Sequence, residues 1–584
     1  MLIYPVCPHP SLISKHLPKI SLPLCTSSMT DETPTSAQNK LLYLFTGLAV
    51  LINFSGLLIP VQAPDAAIYA LISKTMVQRN DFVQLIYHGA DWLDKPHFPF
   101  WVTALSFKLF GFTTWAYKLP GILFLMMGAF YTWLLAKELY NKQVALWSVL
   151  ILLTAQHIVL SNNDVRAEPY LTGLIIAAVY HFYRALTNNS FWQLLVGCIF
   201  TACAIMTKGM FALVPVGGAI AGHFIITRQW RSLFNLRWLV AAALIFIFIL
   251  PELWCLYQQF DLHPEKVIFG QKGVSGIRFF FWDSQFGRFF NTGPIKGHGD
   301  PLFFVHTALW AFLPWSLIMF AAVFQFIKKG VKYTKTMEWY CISGALLTFL
   351  LFSASGFQLP HYLNIVFPFF AIISAQYLYY LSNQKSIRAI AIVQAVVVSL
   401  MLILIAALHY FFRPDVFSWF TALTLLMLFI MLVFFSRFIS IGGYQKIALR
   451  TLLVSFIVNL YLNLSFYPSL MHYQTSSEAA VWINNHNPRN LPVAAVIDDT
   501  AAPFEFYSNK PVSAFNADGK QALPAKPFLL YTTADEAKGL TAKGLHPQTL
   551  ATFQRYWVTR LSLPFLNKKT RDKELTEMVV VEVD

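Results

Sequence analysis

Residues 388–411 read RAIAIVQAVVVSLMLILIAALHYF. After Arg388 the run holds no Lys, Arg, Asp or Glu. A helix needs about 20 mostly apolar residues to cross a bilayer, so this stretch reads as a transmembrane span. Comparable runs lie near 41–60, 118–137, 144–160, 168–186, 191–206, 210–227, 238–257, 302–327, 338–355, 361–381, 416–436 and 447–467. Together they give roughly thirteen crossings. The segment 97–111 is apolar but short, and reads as a re-entrant or interfacial helix. The whole chain agrees: of 584 residues, 57% are hydrophobic and 12% charged, where a soluble domain carries about 25% charged residues. Lipid, unlike water, needs no polar shell.

The net charge of +15 does not indicate a nucleic-acid partner. Lys and Arg form no single patch but recur in short clusters between apolar runs, as topology signals do. The six cysteines show no CxxC spacing, which suggests neither a disulfide framework nor a zinc ribbon. Residues 1–40 are polar and read as a disordered cytoplasmic segment, with Met29 a plausible true start. Leu41–Pro60 is long and lacks a small-residue cleavage site, so it is not a signal peptide.

The positive-inside rule orients the bundle. Lys137 and Lys142, Arg228, Arg231 and Arg237, Lys328, Lys329, Lys332 and Lys335, Lys385 and Arg388, and Arg437, Lys446 and Arg450 follow alternate spans. That side is the cytoplasm, together with the N-terminus. The opposite face receives the loop 61–96, the turn Ser161–Glu168, the turn at Lys208, the loop 258–301, the turn Ser355–Pro360 and the tail 468–584. The tail is more polar, with strand-like strings PVAAVID (492–498), PFLLYT (527–532) and VVVEVD (579–584). The expected architecture is an all-α polytopic membrane protein of about thirteen transmembrane helices (41–467), with a small C-terminal α/β domain (468–584) outside the membrane.

Each polar motif on that outer face has an ordinary explanation. Asp65 after Pro64 suits a helix start. Asp164, Arg166 and Glu168 crowd one turn, where ion pairing is natural. Lys95, in Asp94-Lys95-Pro96-His97, suits an interfacial anchor or a phosphate ligand. Lys208, before Gly209, runs against the positive-inside trend, which favours a ligand role. His361 and Tyr362 open the tenth span. The loop Phe279–Asp300, with Arg288, mixes aromatic and polar residues as both a sugar site and a membrane interface do. Together these residues place carboxylates and cations on one face of a helical bundle, a combination suited to an anionic lipid substrate.

The order of these motifs resembles the membrane-embedded GT-C glycosyltransferases, and within them the aminoarabinose transferase of lipid A and the protein O-mannosyltransferases. It comprises the first Asp, Lys95-Pro96, the second Asp, Lys208-Gly209, Arg288-Phe289, Pro314-Trp315 and Leu359-Pro360-His361-Tyr362. The resemblance covers about residues 41–470. It implies a sugar donor on a polyprenyl-phosphate carrier, a lipid A-like or protein acceptor, and action at the outer face of the inner membrane. It implies Asp65 and Asp164 as the catalytic acidic pair, acting as base or binding a divalent metal ion. Lys95, Lys208 and Arg288 would hold the carrier phosphate, and Arg166, His361 and Tyr362 complete the candidate substrate-binding set. The chain departs from the aminoarabinose transferases at Ile68, where they have Arg, at Asp94, where they have Glu, and at Ser284-Gln285, where they have the Glu-His of a structural metal site. A transporter or flippase of a lipid-linked sugar is the alternative, but it would bury charges at midplane and often shows inverted repeats; no repeat is evident here. A structural assembly protein would leave the acidic turns unexplained.

Overall fold

Asn141 and Ser190 each end an extended link, and their side chains accept hydrogen bonds from the first free backbone N–H groups of the next helix. Thr113 does the same through Ala116 N. Short capped turns of this kind let apolar helices follow one another antiparallel. The computed structural model describes residues 36–329, 338–437, 443–496, 498, 501–515, 524–541 and 545–584. The N-terminal segment up to residue 35, with Met29, and the basic residues Lys332 and Lys335 lie outside the described residues.

The helices in order begin with α1 (Ser36–Phe54), α2 (Asp65–Arg79), α3 (Phe98–Phe110), α4 (Thr114–Leu139), α5 (Lys142–Thr154), α6 (Gln156–Asn163), α7 (Glu168–Thr187), α8 (Phe191–Lys208) and α9 (Leu213–Ile226). A helix occupies every run read as a span. By length and hydropathy alone, seven helices among the described residues are fit to cross a bilayer, or eight if the bent pair α5–α6 is one crossing. Several others are short or broken. The run 302–327 is two helices, Phe303–Ala311 and Ser316–Lys329, on either side of Pro314; a proline lacks the N–H that would continue the ladder. The pair α5–α6 bends by 52° at Ala155, whose extended backbone frees Gln156 N to donate to Leu313 O. The short apolar segment 97–111 is the helix α3.

Burial sorts the helices into layers. The span within Gly443–Met471 is 83% buried inside the protein and that within Pro360–Tyr379 is 78%, so they form the centre. The spans Gln384–Phe412 and Trp419–Arg437 are only 17% buried yet strongly apolar, which is the profile of a helix facing lipid. Small residues let the inner helices approach: a Cβ on Gly173 would stand 2.1 Å from Phe124 O, as expected for close helix contacts in membranes.

Two short hairpins, β1–β2 (Ile86–Tyr87, Ala90–Asp91) and β3–β4 (Val267–Ile268, Gln271–Lys272), lie in loops. After residue 471 comes a sheet region with strands β5 (Val493–Val496), β6 (Val512–Phe515), β7 (Phe528–Thr533), β8 (Pro547–Arg555) and β9 (Thr576–Val583) in the order β6-β5-β7-β9-β8. The first three are parallel and β8 and β9 antiparallel to their neighbours. Its alternating apolar residues fill two faces, one with Val493, Leu529 and Val580, the other with Ala494, Leu530 and Val581.

Candidate functional site

Asp65 is the first residue of α2 and Asp164 follows the last residue of α6. The two carboxylates converge on Arg166. Its Nη1 lies 2.5 Å from Asp65 Oδ2, and its Nε and Nη2 lie 2.9 Å and 2.7 Å from Asp164 Oδ2. Burial alone would lower the Arg166 guanidinium, but Asp164 and Asp65 hold it above its ordinary value and so charged. The turn is fixed from below. Asn162 Nδ2 donates to Asn53 Oδ1 at 2.7 Å and Asn163 Nδ2 to Asn463 Oδ1 at 2.8 Å. Asp164 is thus held through its neighbours, while the side chain of Asp65 is 46% exposed.

The second cluster gathers cations. Asp94 bridges two of them, with Oδ2 2.5 Å from Lys95 Nζ and Oδ1 accepting from Arg288 Nη2. Burial would raise this carboxyl, but Lys95 and Arg288 overcome it and hold Asp94 down to about 2. Glu168, at the start of α7, accepts from Lys208 Nζ and stands 3.8 Å from His361 Nε2. Lys208 Nζ also lies 3.6 Å from the centre of the Tyr362 ring, and Arg288 stacks over Phe357 at 5.5 Å; both are cation–π contacts. The Lys208-Gly209 motif has a geometric reason. Gly209 has φ +91, and a Cβ there would stand 2.1 Å from Gln285 Nε2. Gly209 therefore admits Gln285, whose Nε2 donates to Lys208 O and whose Oε1 accepts from Phe211 N.

These two clusters form one electrostatic site around Tyr69 of α2. Burial raises the Tyr69 phenol well above its ordinary value, and the charges of Asp94, Glu168 and Asp65 raise it further. The basic cluster lines an open cavity of about 780 Å³ that includes Asp94, Lys95, Lys208, Arg288, Phe357 and Tyr362. Met210 and Leu213, which flank Phe211 and Ala212 on its wall, line a second and larger apolar cavity of about 1160 Å³ together with Phe281, three residues before Ser284. Arg288 Nε is buried without a hydrogen-bond partner among the described residues.

All eight candidate residues read from the sequence fall in this site: Asp65, Asp164 and Arg166 at one end, Lys95, Lys208, Arg288, His361 and Tyr362 at the other. The sequence reading left three further parts without a role. Asp94 and Glu168 are the counter-ions of the basic end, and Gln285 is a strut. His97 and Glu252 form a fully buried pair, with His97 N and Nδ1 2.9 Å and 3.0 Å from the Glu252 carboxylate, which ties down the loop carrying Lys95. The available signal was Glu252 itself, a lone acid within the apolar run 238–257. Among the described residues, no group of three or more His, Cys, Asp or Glu stands together to hold a metal ion. Between Asp65 and Asp164 stands a guanidinium, so this donor set does not fit a divalent cation.

The model of the family "Dolichyl-phosphate-mannose-protein mannosyltransferase" matches residues 94–254, a segment that holds Lys95, Asp164, Arg166 and Lys208. The undecaprenyl phosphate-alpha-4-amino-4-deoxy-L-arabinose arabinosyl transferase of Edwardsiella ictaluri is 27% identical over 333 residues, covering 56% of this chain and 57% of that protein. Its namesake from Yersinia pestis is 25% identical over 362 residues, covering 59% and 62%. The chain thus spans about 60% of the length of the curated relatives it matches. The crystal structure of ArnT from Cupriavidus metallidurans bound to undecaprenyl phosphate matches with a TM-score of 0.71 at 18% identity, over 93% of this chain and 98% of that one. The fold is therefore the ArnT-like polytopic membrane fold. In sequence and in fold the chain resembles the membrane-embedded GT-C glycosyltransferases, and among them the aminoarabinose transferases of lipid A.

Proposed function

We propose that this chain is a glycosyltransferase that moves a sugar from a polyprenyl-phosphate carrier to a lipid or protein acceptor at the outer face of the inner membrane. The observation that carries the reading is the division of charge. At one end two carboxylates share one cation, and at the other three cations share two carboxylates. The basic end opens on a cavity and keeps a buried guanidinium donor, Arg288 Nε, without a hydrogen-bond partner among the described residues. That end suits the carrier phosphate, and the neighbouring apolar cavity suits the polyprenyl chain.

Chemically the two ends complement each other. Asp65, the exposed member of the acidic pair, takes the proton of the acceptor hydroxyl or amine. The acceptor atom bonds to the anomeric carbon as that carbon's bond to the phosphate oxygen breaks. The electron pair leaves with the carrier phosphate, where Lys95, Lys208 and Arg288 meet the charge as it develops. Attack from the face opposite the phosphate inverts the anomeric carbon. Asp164 holds Arg166, and Arg166 orients Asp65. No step is assigned to a metal, because the Arg166 guanidinium already pairs with both Asp65 and Asp164.

The finer topology belongs to this reading. The thirteen crossings, a cytoplasmic N-terminus and a periplasmic α/β domain over 468–584 would put both charge clusters and the sheet region on the same side. The relatives' names support a polyprenyl-phosphate donor. A transporter or flippase is less well supported, because the candidate ionic residues gather in two adjoining clusters, one of which lines the cavity.

The test is mass spectrometry of outer-membrane lipids and glycoproteins from cells with and without the protein, complemented with wild type or with the Asp65→Asn, Asp164→Asn double variant. A sugar that disappears on deletion, returns with wild type and stays absent with the variant supports the transferase and names sugar and acceptor. Restoration by the variant would favour the transporter.

A further inference from the structure

The backbone that delivers Asp65 is bonded to residues more than 400 positions away. Val61 and Ala63 are buried, while the Asp65 side chain two residues on is 46% exposed. Their polar groups make no helix or strand ladder. Instead Gln474 Oε1 accepts from Ala63 N and Gln474 Nε2 donates to Val61 O, both at 2.8 Å. Tyr507 Oη accepts from Val61 N at 2.9 Å and also meets Thr114 Oγ1 at 2.7 Å. On the far side of Asp65, α2 is caught again. Lys74, 6% exposed, donates from Nζ to Glu505 O, Phe506 O and Ser508 O at 3.0, 2.8 and 2.8 Å. These carbonyls lie at the end of the helix Ala501–Tyr507, where orphan acceptors need a donor.

We infer that Gln474 and Tyr507 are positioning residues that hold the Asp65 carboxylate at its working place, so that the sheet region is part of the reaction scaffold; this rests on the transferase reading above. Docking the sheet region needs only buried apolar area. Here Gln474 and Tyr507 instead take up both N–H groups and the Val61 carbonyl of the strap before Asp65. A buried amide left without a partner is costly, so the strap cannot shift without losing these bonds. An exposed carboxylate on an immobilised strap is a supported functional group, and a displacement of about 1 Å at such a group costs about 10²-fold in rate.

The test uses the full chain in nanodiscs, with a lipid extract of host membranes as donor and acceptor pool and product counted by mass spectrometry. Tyr507→Phe with Gln474→Leu is expected to lower kcat about 10- to 100-fold, leaving KM, read as extract dilution, and the affinity for undecaprenyl phosphate within about twofold. Gln474→Glu, which keeps the bond from Ala63 N and loses the one to Val61 O, should fall between, and it decides the matter if the double variant does not fold. Arg571→Leu is the control for docking alone. Arg571 is buried and bonds to Phe565 O, Phe412 O and Tyr473 Oη, none of which is a bond of Val61, Ala63, Gln474 or Tyr507. Equal loss of kcat in Arg571→Leu and in the strap variants overturns the inference, as does wild-type kcat in the strap variants. Full activity of Asp65→Asn would instead remove Asp65 from the mechanism, and absence of any product from the wild-type chain would sink the transferase reading itself.

Discussion

The acidic and the basic ends of the site are built from the same few residue types, yet they are arranged oppositely. At the acidic end Arg166 is the shared centre and the carboxylates are the outer groups, one of them open to solvent. At the basic end the carboxylate Glu168, only 3% exposed, is the inner group behind Lys208, while Asp94 lines the cavity between Lys95 and Arg288, so that three cations face the cavity with one carboxylate among them. Buried ions of one sign need partners of the other, so both ends pair their charges. What differs is which sign is left over, and that excess decides which part of a substrate each end can receive.

The largest expected effect tests the acidic end. Asp65→Asn keeps the shape and the bond to Arg166 but removes the base. Transfer should fall by about 10²- to 10⁴-fold, with undecaprenyl phosphate binding unchanged in nanodiscs. Unchanged turnover would show that the excess negative charge is only structural. The basic end is tested by Arg288→Ala, which removes the unpartnered Nε and one partner of Asp94 together. Loss of a charged hydrogen bond costs about 1.5–3 kcal/mol, so affinity for undecaprenyl phosphate should weaken about 10- to 100-fold. A variant that binds as wild type does would return Arg288 to the role of counter-ion for Asp94.

Much of this contrast was legible in the sequence, and for a physical reason. In an apolar chain every charge is an exception, so Asp65, Asp164, Lys95 and Lys208 stood out at the ends of spans. The outer-face motifs therefore fell together before any geometry was known. What could not be read was pairing. Nothing in the spacing says that Lys208 meets Glu168, 40 residues earlier, or that Arg288 reaches Asp94 across 194. Gln474 and Tyr507 were invisible because they act on backbone groups, which carry no sequence signature. The helix count was also harder to read than the site: an apolar run marks lipid or core alike, and the breaks at Ala155 and around Pro314 divide runs that read as continuous.

A change of opposite sign sharpens the comparison. Glu168→Gln removes the inner carboxylate, so Lys208 and His361 lose their counter-ion and the excess positive charge at the basic end rises by one. Undecaprenyl phosphate should then bind about three- to tenfold more tightly, a modest gain because part of the Coulomb energy is screened. Weaker binding would mean that Glu168 positions Lys208 rather than offsetting it.

The smallest effect concerns Lys74, which ties the helix bearing Asp65 to the sheet region. Burial lowers its ammonium to about 8, with Glu505 opposing the shift. In the unfolded chain the same group titrates near its ordinary value of 10.5. Between about pH 8 and 10.5 the unfolded state therefore holds more protons at this site, and stability rises with pH across that window. Below about 8 both states are charged and the term is constant, at its least favourable. Lys74→Met removes the titrating group, and its melting temperature should lose that part of the alkaline rise relative to wild type. The comparison is made at matched detergent and salt, as the difference between the two curves. If the difference is flat from pH 8 to 10, Lys74 is solvated in solution and the three carbonyls of the helix end have another donor. The sheet region would then hold the strap before Asp65 through Gln474 and Tyr507, without help from Lys74.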